Sequence, residues 1–523
     1  MVFNELLNLV SSNKSPDIRL DSRLVRTGDI FVAIDGTTYD GHNFIEQAII
    51  NGAKYIVCQK DRASIEYRLF AEASAKAEAS STKIILVENS SQAAAILAQA
   101  RSGNPASNLI NLAVTGTNGK TTVAFLVRSI IQTAGKKCGL ISTIIYDTGL
   151  AISQATLTTP DCLDIAEAQS QMVKAGARYM VVEASSHALS QNRLAAINFK
   201  AAAFTNLGGD HLDYHKTKED YLTAKVKLFN MLSADAIAVL NKQAPESKNI
   251  ASHTKAKILW YAVDKPADIS AHIESMDING TIFTLEYAGQ SSIVKTTLLG
   301  RHNVSNHLAA AGLCLAADFD LETIAVGLSS LQTISGRLEK IDWDGDFTVL
   351  IDYAHTDDAL KNVLSTLKPL CKGKLRVVFG CGGDRDRTKR PRMARVVEQF
   401  ADFIVVTSDN PRTEQPMNII NEIVTGFKKR PSIRTWGEGR ETRDKQRLPR
   451  ATCGEQSRTK SRGATKIIEP DRRKAIELAI KTAAKDDIVL IAGKGHENYQ
   501  IIGKQKFNFD DKKVACEYLQ EKQ

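Results

Sequence analysis

The sequence has no run of about 18 or more apolar residues, the length a membrane-crossing helix needs, so no transmembrane span is expected. It also lacks a CxxC pair. The eight cysteines (Cys58, Cys138, Cys162, Cys314, Cys371, Cys381, Cys453 and Cys516) are scattered along the chain. That scatter argues against a zinc site and against a disulfide framework, and for a reducing compartment. The opening residues lack the basic-then-apolar order of a secretory signal, because Asn4, Glu5 and Asn8 break the one short apolar stretch. A cytosolic protein with no membrane partner is expected.

Spread-out positive charge is missing too, although the net charge is +9. Residues 428–466 carry 13 Lys/Arg and 4 Asp/Glu, which leaves 55 of each sign in the rest of the chain. A protein that grips a phosphate backbone usually spreads basic residues over a folded face. The segment 430–464 has few apolar residues and no helical or alternating period, so it cannot bury enough surface to offset its ordering entropy. It reads as a solvated insertion, and no nucleic-acid partner is expected.

What is present is ample. At 523 residues, about three domains are expected, and 43% hydrophobic with 24% charged residues is ordinary for globular units with proper cores. Residues 1–88 show short apolar runs at 29–34, 55–58 and 84–87 that read as strands, with a surface helix over 63–81. A second unit, 89–335, opens with a buried strand at 109–115, a tight loop at 116–119, a helix over 121–133 and a strand at 138–141. That βαβ unit implies a parallel sheet with helices on both faces. Further strands are expected at 179–182, 201–204 and 236–240, alternating with helices to about residue 330. A third unit, 336–523, has strands at 348–351, 375–379, 403–406 and 488–491, and helical periodicity at 471–484. Each of these strands is followed by a loop dense in Gly, Asp, Arg or His. Ligands of open α/β sheets bind outside the carboxyl ends of the strands, so these loops form a second candidate binding face.

The strongest motif is TGTNGKTT at 115–122. Glycines let backbone N–H groups close around phosphate oxygens, and the helix N-terminus adds its positive dipole end. Gly116, Thr117, Asn118, Gly119, Lys120, Thr121 and Thr122 are therefore the candidate ATP-binding residues, with Lys120 on the outer phosphates and Thr121 on Mg²⁺. The loop is a shortened GxxGKT. Glu183 ends a strand, where an acid can hold a phosphate-bound metal. Asp210, His211, Asp213 and His215 follow another strand and point to a metal or phosphate site, whereas Lys225 reads on composition alone as an ordinary surface lysine. In the third unit, paired Arg and acidic residues at strand ends suit a zwitterionic substrate: Arg grips a carboxylate bidentately while Asp or Glu holds an ammonium. An inter-loop salt-bridge network remains the other reading.

Taken together these motifs resemble the Mur ligase family. The resemblance runs through DSR (21–23), TGTNGKTT, TTPD (158–161), EASSHAL (183–189), DHLDYH (210–215), NVSNHLAA (303–310), GRLE (336–339), DYAHT (352–356), FGCGGDRD (379–386), DNPR (409–412) and AGKGHE (492–497). It covers nearly the whole chain except 430–464. It implies a small α/β N-terminal domain for a uridine nucleotide, a central P-loop-type ATPase domain and a Rossmann-like C-terminal domain.

The implied reaction is the ATP-dependent addition of meso-2,6-diaminopimelate to the D-glutamate of UDP-N-acetylmuramoyl-L-alanyl-D-glutamate, through an acyl phosphate, in peptidoglycan synthesis. Ser22, Thr37, Thr38, Tyr39, Thr158, Thr159, Ser185, Gln191 and Arg193 would hold the UDP-sugar-peptide. Thr121, Glu183 and His211 would ligate Mg²⁺, joined by Lys225 as a CO₂-derived carbamate, which overturns its surface reading. Lys120, Lys225 and His211 would be the catalytic set. Arg385, Asp409, Asn410, Pro411, Arg412, Gly493 and Glu497 would hold diaminopimelate. DNPR is the form the family uses for diaminopimelate rather than lysine, because Arg412 would pair with the distal carboxylate that lysine lacks. A monomer is expected.

Three departures stand out. Gly208-Gly209 replaces the family's usual Ser-Arg, Asp357 replaces a Pro after DYAHT, and the basic insertion separates DNPR from GKGHE. An L-lysine-adding ligase, the folylpolyglutamate synthase branch and a nucleotide-binding module without turnover are the alternatives.

Overall fold

A computed structural model describes residues 2–12, 16–36, 39–62, 82–429 and 464–522. The expected helix at 63–81, the expected contacts Thr37 and Thr38, and the basic segment at 430–463 lie outside these residues.

The first unit is a four-stranded parallel sheet in the order Ile18–Arg19, Ile30–Val32, Tyr55–Gln59, Lys83–Val87. Successive side chains of a strand point to opposite faces. Thus Ile30 and Val32 pack under the helices Phe3–Val10 and Ser90–Arg101, while Phe31 packs on the other side with Ile45 and Ala48. An end at residue 88 cuts off the helix Ser90–Arg101, whose Ala94, Leu97 and Ala98 belong to this core. The same helix also reaches the middle unit, where Gln99 donates to Gln169 at 2.6 Å. It carries little amphipathic signal because five of its twelve residues are alanine and both its faces are covered.

The second unit is built on an eleven-stranded sheet. Its middle is parallel, with the P-loop strand Ile110–Thr115 between Phe199–Phe204 and Tyr179–Glu183. The helices Lys120–Thr133, Arg301–Ala316 and Leu321–Ser330 cover one face, and Cys162–Lys174 and Lys218–Asn230 the other. Two ends of the sheet correct the expectation of a parallel sheet with helices alternating to residue 330. Ile269–Asp277, Gly280–Tyr287 and Gln290–Thr296 form consecutive antiparallel hairpins. At the opposite edge Ile145–Asp147 and Ile152–Gln154 also run antiparallel. The cause is local. Tyr287 pairs with Gln290 across Ala288 and Gly289, both at positive φ, and a two-residue turn of that kind joins only antiparallel neighbours.

The third unit is a six-stranded sheet in the order Glu339–Lys340, Thr348–Asp352, Ile488–Ala492, Leu375–Phe379, Phe403–Val406, Thr465–Ile468, parallel except for the first strand. Asp352, Phe379, Val406 and Ala492 therefore end at the same edge. A hairpin of Tyr499–Ile502 and Gln505–Asn508 lies beside that edge. Asp357 begins the helix Asp357–Leu370 in place of a proline; Thr356 caps that helix, and an acid in the first turn suits its dipole. Asp357 also pairs with Arg392 at 3.1 Å.

Candidate active site

The carboxyl end of Ile110–Thr115 turns through Gly116–Gly119 into the helix Lys120–Thr133. Gly119 sits at φ 91°, and a Cβ there would fall 2.2 Å from Asn306 Oδ1, so only glycine lets the loop close against the helix Arg301–Ala316. Lys120 folds back on this loop, its ammonium donating to the Gly116 and Thr117 carbonyls at 2.9 Å each. Burial lowers its pKa and Arg337 adds to that, while Glu183 and Asp210 oppose it.

Glu183 is fully buried at the end of the neighbouring strand. Its carboxylate accepts from the Thr121 hydroxyl at 3.0 Å, the Thr143 amide at 2.8 Å and the Thr143 hydroxyl at 3.0 Å. A buried carboxylate satisfied only by neutral donors, beside a P-loop threonine, is a hard-oxygen pair suited to Mg²⁺. Among the described residues no cluster of three or more His, Cys, Asp or Glu forms a metal site by itself. Arg337, from the third unit, donates to Thr121 Oγ1 at 3.1 Å and stacks 4.6 Å from the Tyr353 ring. Its buried Nε has no hydrogen-bond partner among the described residues, which leaves a donor for a phosphate oxygen.

Lys225 is not on the surface. It is 1% exposed on the helix Lys218–Asn230, donates to the Gly116 carbonyl at 2.8 Å and lies 4.3 Å from the Tyr221 ring. Burial, and then the like charge of Lys120, push its pKa far below that of an ordinary lysine, although Asp210 pulls the other way. His211 has a left-handed backbone at φ 57° and packs against the His187 ring at 4.9 Å. Burial lowers its pKa against the pull of Asp210, whose carboxylate lies 3.6 Å from its Nε2, and this favours the neutral ring. Burial works against ionisation of Asp210, but His211, His355 and Lys389 outweigh it and hold the carboxyl at about 2.

A cavity of about 550 Å³ opens from Lys120, Lys225 and His211. Its second wall carries Thr158, Thr159, Ser185, Gln191 and Arg193. Thr159 bonds Ser185 Oγ at 3.0 Å, and Arg193 donates to the Thr159 carbonyl and to Gln191 Oε1 at 2.6 and 2.7 Å. The far wall belongs to the third unit and carries Arg385, Asp409, Asn410, Arg412, Gly493 and Glu497. Gly493, at φ 117°, leaves no room for a Cβ, which would stand 2.8 Å from Asp409 Oδ2. Asn410 donates to Glu497 Oε2 at 2.8 Å. The hairpin braces the loop through its backbone: Arg412 N–H donates to Ile501 O at 3.1 Å, and Gly503 N–H to Arg412 O at 2.7 Å. A smaller adjoining cavity of about 200 Å³ runs past Thr117–Thr122, Asn303, Asn306 and Arg337.

The structure thus joins sequence-distant residues from the second and third units around one space. It does not bring Ser22, Tyr39 or Pro411 to that space. Ser22 is buried at 6% exposure in the first unit, and Tyr39 stands exposed, edge-on to Phe44 at 6.3 Å. The Gly209 amide donates to Asp358 Oδ2 at 3.2 Å. Sequence reasoning assigned no role to Thr143, Arg337, Tyr353, His355, Lys389 or Lys494. Arg337, Tyr353, His355 and Lys494 stand inside quoted motifs, which was the available signal. Thr143 stands in none, and only the fold shows it against Glu183.

Comparison with known proteins agrees with this geometry. Residues 17–102 match the Mur ligase family catalytic domain, 114–314 the Mur ligase middle domain and 336–495 the Mur ligase glutamate ligase domain. The chain is 39% identical over 517 residues to a UDP-N-acetylmuramoyl-L-alanyl-D-glutamate–2,6-diaminopimelate ligase of Geobacillus kaustophilus (strain HTA426), covering 97% of this chain and 96% of that protein. It is 38% identical to the protein of the same name from Geobacillus thermodenitrificans (strain NG80-2), with the same coverage. A solved structure of a ligase of that name superposes with a TM-score of 0.62 at 31% identity, covering 97% of this chain and 95% of the other. With a P-loop, a buried Glu183–Thr121 pair and an Arg- and acid-lined far wall in the expected order, the chain belongs to the Mur ligase family of ATP-dependent ligases.

Proposed function

We propose that the protein joins meso-2,6-diaminopimelate to the D-glutamate of UDP-N-acetylmuramoyl-L-alanyl-D-glutamate, consuming ATP, in cytosolic peptidoglycan synthesis. The observation that carries this reading is the single cavity with the P-loop lysine and Lys225 at one end and Arg385, Arg412, Asp409 and Glu497 at the other. That polarity matches a phosphoryl donor facing a zwitterionic acceptor that has an extra carboxylate.

In this reading the D-glutamyl carboxylate, held from the Thr159–Ser185–Arg193 wall, attacks the γ-phosphorus of ATP. ADP leaves and an acyl phosphate forms. The ammonium of the incoming amino acid gives a proton to solvent, its neutral amine attacks the acyl carbon, and phosphate leaves with one original carboxylate oxygen as the nitrogen releases a second proton to solvent. Lys120 and Arg337 neutralise phosphoryl charge, and the cavity walls position the two reactants. Thr121 and Glu183 would hold Mg²⁺, with His211 beside them; the ion would supply charge neutralisation on the phosphates.

The Lys225 site also fits a carbamate. Burial and Lys120 favour the neutral amine, which is the form that adds to CO₂ with loss of a proton. The product would be an anion beside the Lys120 ammonium, in place of a neutral amine. Arg412 fits the distal carboxylate of diaminopimelate, which L-lysine cannot offer. Ser22 and Tyr39 would contact the uridine end from the first unit.

The test uses substrate labelled with oxygen-18 in the D-glutamyl carboxylate. One labelled oxygen is expected in the released phosphate for each amide formed, read by mass spectrometry. Phosphate free of label, alongside amide product, contradicts the acyl-phosphate route.

A further inference from the structure

Four side chains from two loops meet at the amino-acid end of the cavity. Asp409 and Asn410 follow the strand Phe403–Val406, and Lys494 and Glu497 follow Ile488–Ala492. The Lys494 side chain is fully buried. Its ammonium lies 3.2 Å from Asn410 Oδ1, 3.3 Å from Glu497 Oε2 and 3.8 Å from Asp409 Oδ1. Asp409, Asn410 and Glu497 line the cavity, and Lys494 stands behind them.

We propose that Lys494 is a positioning residue that locks the Asp409–Asn410 loop to Glu497 in the arrangement that receives the amino group of the incoming amino acid. The inference rests on the function proposed above. Two carboxylates facing one amine repel each other unless a cation sits between them, and a buried ammonium supplies it from the side away from the substrate. With Lys494 in place the group carries one net negative charge, the complement of one ammonium. Lys494 also fixes the Asn410 amide. Its Oδ1 accepts from Lys494 and from the Ile501 amide at 3.0 Å, which turns Nδ2 onto Glu497.

Loss of the cation has a second consequence. Burial, followed by Asp409, already holds the Glu497 carboxyl above the usual carboxylate range, opposed by Lys494 and Asn410. Tyr353, Tyr499 and Arg472 are the other titratable groups coupled to it. Without Lys494, Glu497 takes up a proton at higher pH and no longer offers an anion to the substrate.

The experiment compares the full-length wild type, Lys494→Met, Lys494→Arg, Glu497→Gln and the double variant Lys494→Met/Glu497→Gln in steady-state kinetics. Lys494→Met is expected to raise KM for diaminopimelate about tenfold or more while KM for ATP and for the UDP-sugar-peptide stays within about twofold. The acidic limb of its kcat/KM profile moves to higher pH, and Lys494→Arg, which keeps the charge, falls between it and wild type. The double variant is expected to be no worse than the worse single one, because both act through one interaction. An equal rise in all three KM values, or effects that multiply in the double variant, overturns the proposal. If Lys494→Met does not fold, Lys494→Arg is read by the same criteria. If the wild type uses no diaminopimelate, the functional reading fails, and crystal structures of wild type and variant decide the inference. An Asn410–Glu497 hydrogen bond that breaks when Lys494 is replaced supports positioning, and one that persists refutes it.

Discussion

Lys225→Ala is expected to lower kcat by about a thousandfold, the scale of removing one preorganised charge-stabilising group, and to leave the fold intact. The lysine lies under the P-loop with its Nζ donating to the Gly116 carbonyl, so the substitution removes one hydrogen bond to the loop and empties a slot beside Lys120. If the working form is a carbamate, the missing group is an anion, and a small carboxylate can enter the vacated slot. Added formate or acetate should therefore restore part of the rate, whereas chloride at equal ionic strength should not. Full activity in Lys225→Ala without any rescue contradicts the assignment.

Arg412→Ala should raise KM for diaminopimelate by about 10- to 100-fold, the value of one hydrogen-bonded pair between charged groups at about 1.5–3 kcal/mol. KM for ATP should stay unchanged. The loop itself should hold, because its hydrogen bonds to Ile501 and Gly503 are made by the Arg412 backbone and survive truncation. The positive φ of 51° at this position is one that both arginine and alanine adopt with strain, so the substitution adds no new backbone cost. Within the protein, truncation removes the bond from Nη1 to the Gly383 carbonyl at 2.8 Å. An equal loss of ATP and diaminopimelate affinity would mean that Arg412 supports the fold rather than the ligand.

Most of the parallel strands were legible because each is a short, mostly apolar run, whereas Ile18–Arg19 and Thr465–Ile468, short and holding a charged residue, were not. Cys138–Ile141, Leu375–Phe379 and Phe403–Val406 occupy the residues that hydrophobicity marks. The hairpin Gly280–Tyr287 carried a signal of another kind, with Thr281, Phe283 and Leu285 buried on alternate positions, a half-buried antiparallel strand rather than a helix. Two-residue turns at Ile278-Asn279 and Ala288-Gly289 mark its ends. The P-loop and the loops of the third sheet were legible because their residue types have few other uses at strand ends.

Lys225 shows where such reading stops. A lysine on a helix is normally solvated, and nothing within Lys218–Asn230 reports that the P-loop carbonyl of Gly116 lies above it. Thr143 is similar. It touches Glu183 only because the turn after Cys138–Ile141 passes over the neighbouring strand end, a fact of sheet order rather than of local sequence. Lys494 could be seen as a motif residue, but whether it faced the ligand or the protein behind it depended on how the two loops pack together.

The central claim is most directly tested by phosphate release from ATP and Mg²⁺ in the presence of UDP-N-acetylmuramoyl-L-alanyl-D-glutamate. Three parallel reactions contain meso-diaminopimelate, L-lysine or no amino acid, and the product of each is weighed by mass spectrometry. Phosphate and UDP-N-acetylmuramoyl-tripeptide are predicted only with diaminopimelate. Turnover with lysine in its place would contradict the role given to Arg412, and bound ATP with no turnover in any reaction would contradict the ligase itself.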